Sequence, residues 1–157
     1  HTNKEKDKAM KLTILSTTGV NKQYAEHIGY DELINLVDEA LPMYTPEAEE
    51  VASMELVKQI DTLYKRVLDA DQLQFFQPQY NGSLPPITLN FIAWLSRRNT
   101  LIAEDGNWRD AFKEKNVHIY SYSAGTSANM VSHFEGLLGY FGAGEVEITT
   151  TTSREFV

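Results

Sequence analysis

Three polar stretches carry the residue types best suited to chemistry. The first, Ser16-Thr17-Thr18-Gly19 running on to Asn21, supplies three hydroxyls, a glycine and the amides of a helix start. Such a set suits a phosphate without any basic residue, although Ser, Thr and Asn before a helix serve first as ordinary N-caps. The second, Gln77-Pro78-Gln79-Tyr80-Asn81-Gly82-Ser83-Leu84-Pro85, holds an aromatic, an amide and a hydroxyl between two prolines. Proline restrains the backbone on both sides, so the intervening amides can be aimed at a planar ligand with polar edges. The plain alternative is a tight Asn-Gly turn; the proline bracket and a position after a strand favour the ligand. The third, residues 121–129, reads Ser-Tyr-Ser-Ala-Gly-Thr-Ser-Ala-Asn. Its small side chains let backbone come close to a ring face or a sugar, and they equally suit a flexible strand-to-helix turn.

Other reaction classes find little support. His27, His118 and His133 lack Asp, Glu or His partners at metal-ligand spacing, which predicts no metal. Ser16, Ser83 and Ser123 sit in no G-x-S-x-G elbow, so a hydrolase is a weak alternative and no catalytic side chain is assigned. The absence of cysteine excludes disulfides, thiol nucleophiles and Cys-ligated metal, and points to the cytoplasm. Asp plus Glu number 22 against 14 Lys plus Arg, a net charge of -8 that repels phosphate backbones, which argues against nucleic acid as a partner. No apolar run approaches the roughly 20 residues of a membrane span, so no membrane partner is expected either.

The elements that must position these loops can be read from periodicity. Residues 1–11 carry four lysines and read as a solvated leader or expression remnant, leaving residues 12–157 as one domain. Strands are expected at 12–15, 33–37, 72–77, 117–121 and 146–152. Residues 41–46, Leu-Pro-Met-Tyr-Thr-Pro, must be extended. After Pro46, apolar residues from Val51 through Leu68 recur at three- and four-residue steps, which predicts one long amphipathic helix with a single buried stripe. Helical spacing returns at 87–97 and 130–140, while 99–107 reads as a polar insertion and 108–115 as a short connector. Strand and helix alternate, so the fold is α/β with a parallel sheet wrapped on both faces. In such a sheet ligands bind where strand ends run into loops, and all three polar stretches follow strands.

Leu41-Pro42-Met43-Tyr44, Pro78-Gln79-Tyr80-Asn81-Gly82-Ser83-Leu84-Pro85, Asn90 and Trp94-Leu95-Ser96-Arg97 resemble, in order and spacing, motifs of the NADPH-dependent FMN reductase family. The resemblance covers about 41–144 and implies a flavodoxin-like three-layer sandwich with a five-stranded parallel sheet. It implies FMN as cofactor, NADPH or NADH as co-substrate, and a small acceptor such as a quinone, an azo compound or free flavin. Carried over by position, Ser16, Thr18 and Asn21 would hold the phosphate. Pro78, Gln79, Tyr80, Asn81, Gly82 and Ser83 would line the ring, with Ser121, Ser123, Ala124 and Gly125 approaching from the other side. A homo-oligomer, dimer or tetramer, is implied as well. The chain departs from the family in a shorter first loop with no arginine, in Gln79 where Glu is usual, and in Leu89 and Ala93 where Lys and Asp are frequent. Between Leu12 and Leu41 it is also about a dozen residues shorter than the helix-length norm implies. Two alternative readings are an FMN-binding electron carrier without nicotinamide activity and a flavodoxin-like interaction protein that has lost its flavin.

Overall fold

A computed structural model of the chain describes residues 9–123 and 125–152. Five parallel strands form one sheet in the order β2-β1-β3-β4-β5: β1 (Lys11–Leu15), β2 (Glu32–Asn35), β3 (Gln72–Pro78), β4 (Asn116–Ser123) and β5 (Val146–Thr152). That order is the flavodoxin-like one, with its reversal between β1 and β3. The helices are α1 (Val20–Ile28), α2 (Leu36–Glu39), α3 (Pro46–Glu50), α4 (Met54–Asp69), α5 (Pro86–Ser96), α6 (Arg98–Leu101) and α7 (Ala128–Tyr140).

Because strand side chains alternate between faces, neighbouring residues feed two cores. Leu12, Ile14, Leu73, Phe75, Val117 and Ile119 pack with Leu63 and Val67 of α4, Phe91 of α5 and Phe134 of α7. On the opposite face Leu15, Phe76 and Tyr120 pack with Tyr24 and Ala25 of α1. Phe76 and Tyr120 stack at 4.6 Å, and Tyr24 meets both edge-on. The result is three layers.

Most expected elements are present, with five differences. The strand expected at 33–37 ends at Asn35, whose side chain accepts the Val37 N–H at 3.1 Å and starts α2, so Leu36 and Val37 are helical. The predicted long helix is two. Val51, Ala52 and Ser53 interrupt it, the Ser53 hydroxyl accepts the Leu56 N–H to start α4, and Val51 and Met54 face solvent at 82% and 90% exposure. Serine as an N-cap outweighs an apolar spacing that sequence alone reads as continuous. The stretch expected as insertion and connector contributes α6 and places Ala111 and Phe112 in the main core. Its anchor is Arg98, 6% exposed, which bonds Asp61 and Glu104 and lies 4.3 Å from the Tyr64 ring. The third polar stretch is shorter than expected, because Ser121 to Ser123 continue β4 opposite β5. Finally, β1 starts at Lys11, inside the segment read as leader, since Lys11 pairs with Gln72 and its N–H reaches Asp31.

The motif residues outside the loops hold the chain together. Asn90 accepts the Tyr44 N–H at 2.7 Å and donates to the Pro42 carbonyl, which also accepts Trp94 Nε1. Tyr44 stacks edge-on against Trp94 and gives its hydroxyl to Glu49, and Arg97 grips the same carboxylate with two nitrogens. The extended 41–46 segment is thereby pinned to α5.

Candidate functional site

The three loops meet at the carboxyl edge of β1, β3 and β4. In the first, Ser16 Oγ donates to the Phe76 carbonyl at 3.3 Å, and the Asn21 amide donates to Thr17 O at 3.1 Å and Phe76 O at 3.2 Å. Both side chains are buried, Asn21 completely. They latch the loop onto β3 and form its floor, while Thr18 stands at the surface. Gly19 precedes α1 at φ 66, a backbone state that a side chain would strain. Among the described residues no side chain caps α1, so its N-terminal amides open at the loop with a partial positive charge.

The second loop is a two-residue turn. Tyr80 and Ser83 exchange both backbone hydrogen bonds at 3.0 Å, with Asn81 at φ 51 and Gly82 at φ 74. Positive φ at both central residues is what an Asn-Gly turn of this kind demands. The turn leaves Tyr80 44% exposed, while Pro78 and Leu84 on either side of it are buried. Beneath it Gln77 is fully buried, donating to Phe76 O and accepting the Thr88 hydroxyl at 2.5 Å.

The second loop is tied to the third and to α7. Gln79 Nε2 donates to Thr126 O at 3.0 Å, and its Oε1 accepts the Met130 N–H at 3.1 Å. Ser83 Oγ lies 3.3 Å from His133 Nδ1. Among the described residues His133 has no carboxylate partner, so this pair lacks the orienting acid of a nucleophilic triad. Ser121 is buried opposite Gln77, and Gly125 is exposed. Ala124 lies outside the described residues; Ser123 is the last residue of β4.

Tyr122 joins the site although the residue pattern did not single it out. It sits at the register of Pro78 and shares a hydrogen bond with Thr17, so it connects the first loop to the others. Burial pushes its hydroxyl above the ordinary tyrosine range, and the Thr17 bond works in the opposite direction. The available signal was its alternation with Tyr120, which places both rings on the α1 face. His133 was legible only as one turn beyond Asn129 on α7. Gln79 as a bond between two loops left no local trace.

The edge thus offers a helix N-terminus without a side-chain cap among the described residues beside the exposed Thr18 at one end, and the exposed Tyr80 on a tight turn at the other. Three buried oxygens, Asn21 Oδ1, Ser121 Oγ and Ser127 Oγ, have no hydrogen-bond partner among the described residues. Amides for a phosphate, polar edges for a heteroaromatic ring and unmet hydrogen-bonding capacity beneath them fit FMN.

The model of one family, NADPH-dependent FMN reductase, matches residues 16–153. The chain belongs to the NADPH-dependent FMN reductase family. Membership makes it an NAD(P)H-dependent oxidoreductase with FMN as cofactor. Solved structures agree on the fold. The azoreductase AzrA superposes with a TM-score of 0.67 at 16% identity, over 94% of this chain and 93% of that one. An NAD(P)H:quinone oxidoreductase from Methanothermobacter marburgensis gives 0.65 at 15% identity, over 93% and 85%. An FMN-dependent NADH-azoreductase from Bacillus anthracis, solved with FMN, gives 0.62 at 15% identity, over 96% and 90%. No curated protein sequence matches the chain. Among the described residues no group of three His, Asp or Glu is placed to hold a metal, and no helix is long and apolar enough to cross a membrane.

Proposed function

We propose that this reductase passes a hydride from NAD(P)H through FMN to a small acceptor, a quinone, an azo compound or free flavin. The nicotinamide is oxidised to NAD(P)+, and the acceptor gains two electrons with protons completed from water. FMN bound at the loop edge supplies the redox ring. The protein's residues bind and orient. The amides opening α1, with Thr18 beside them, hold the phosphate, while Ser16 and Asn21 keep that loop in place from below. The 78–83 turn presents Tyr80 to the ring, and residues 121–125 close the other side. The chain from Lys11 onward acts as one FMN-binding unit. The observation that carries this reading is the meeting of three loops at one sheet edge, beside a helix N-terminus that no described side chain caps.

We further read the protein as a cytoplasmic homo-oligomer, dimer or tetramer. The exposed Met43, Val51 and Met54 support subunit contact, and the lack of cysteine supports a reducing compartment.

The test is an absorbance spectrum of purified protein after adding FMN, followed by anaerobic addition of NADPH or NADH. Bound yellow flavin that bleaches on adding the nicotinamide is expected. Protein that takes up no FMN defeats the reading, and bound flavin that does not bleach assigns the chain to electron carriers.

A further inference from the structure

We infer that Gln79 is a positioning residue: its side chain caps helix α7 from the neighbouring loop and sets the third loop against the second. The inference rests on the reading of these loops as the FMN site. An N-cap oxygen ordinarily comes from the residue just before the helix and accepts the amide two or three residues in. Ser127 occupies that place before α7, but its hydroxyl makes no cap bond and is buried without a partner among the described residues. The amide it would serve, Met130 N–H, is taken instead by Gln79 Oε1 at 3.1 Å, from 51 residues earlier in the chain. The other end of the same amide donates to Thr126 O at 3.0 Å, on the near side of the helix start. One side chain therefore grips the chain on both sides of the bend from β4 into α7.

Beyond the β3–β4 ladder, which ends at the Pro78–Tyr122 pair, the other described contacts between these loops are weaker. Ser83 and His133 meet at an exposed 3.3 Å contact, and a Cβ on Gly82 would only touch Asn129 at 3.6 Å. Since Tyr80 follows Gln79 directly, the cap also ties the position of that residue to the start of α7. The essential element is an acceptor at the α7 N-terminus. A carboxylate keeps the Met130 bond, helped by the positive end of the helix, and gives up only the donation to Thr126 O, whereas a side chain of equal length without an acceptor gives up both.

The experiment compares wild type, Gln79→Met and Gln79→Glu by FMN titration and by amide hydrogen exchange at Met130. In Gln79→Met, the FMN dissociation constant and the Met130 exchange rate both rise about five- to tenfold, the scale of a lost cap. Gln79→Glu, which restores the acceptor, holds both within about twofold of wild type. The inference is overturned if Gln79→Met binds FMN as wild type does, or if Gln79→Glu loosens FMN as much as Gln79→Met. Wild-type protein that binds no FMN overturns the functional reading and this role with it, while Met130 exchange then reports on the cap alone.

Discussion

Asn90→Ala tests whether the family motifs outside the loops are structural. The Asn90 side chain is the acceptor for the Tyr44 N–H at 2.7 Å and one of two donors to Pro42 O, the other being Trp94 Nε1 at 2.8 Å. Truncation leaves the part-buried Tyr44 N–H without its acceptor, which costs about 1–2 kcal/mol. The Pro42 carbonyl keeps Trp94, so losing its second donor at an exposed position costs about 0.5 kcal/mol. Alanine is the better helix former in α5 and returns about 0.5 kcal/mol. The net expectation is a loss of about 1–2 kcal/mol, read from urea unfolding followed by circular dichroism. Trp94→Phe alone leaves Pro42 O with Asn90, but the double variant removes both donors. The double variant should therefore lose about 0.5–1 kcal/mol more than the sum of the two single losses. Unfolding midpoints for Asn90→Ala indistinguishable from wild type, or strict additivity in the cycle, would refute the pinning of residues 41–46 to α5.

Two further perturbations follow from the geometry. Hydrogen bonds from Arg97 hold the Glu49 carboxyl below its ordinary value of 4.5, against the opposing effect of burial and with help from Tyr44. A lowered folded pKa contributes stability that is complete above the unfolded value and disappears as pH falls through the folded one. The stability gap between wild type and Arg97→Met should thus be present at neutral pH and close below the carboxylate range; a gap that stays constant in urea unfolding across that range would count against the pair. Gly82→Ala places a side chain at φ 74 while its Cβ meets Asn129 only at ordinary contact distance, so the cost is backbone strain of about 1 kcal/mol. An unchanged unfolding midpoint would show that this turn does not hold positive φ.

Much of this architecture was legible because each strand and helix carries its own period. Strand β5 lies at 146–152 as expected, and β3 differs only by the inclusion of Pro78. The Asn-Gly turn was equally local, since positive φ is a property of two residues and their chain neighbours. The split at residues 51–53 was not, because the apolar spacing carries on through a serine whose capping role depends on the path of the chain before it.

By itself the sequence determined the alternation of strand and helix, the parallel sheet, the polar character of three strand-end loops and the family motifs within and beside them. These follow from side-chain periodicity and turn chemistry acting over a few residues. Only the tertiary structure decided that Asn21 and Ser16 anchor the first loop from beneath. It alone joined Tyr122 to Thr17, buried Phe112 in a stretch that reads as a connector, and brought Gln79 to the start of α7. Each of these depends on a hydrogen bond or an apolar contact between residues far apart in the chain, and no local propensity encodes which partner closes it. The chemistry of the loops is written in residue types; their spacing is set by partners that only the folded sheet brings within reach.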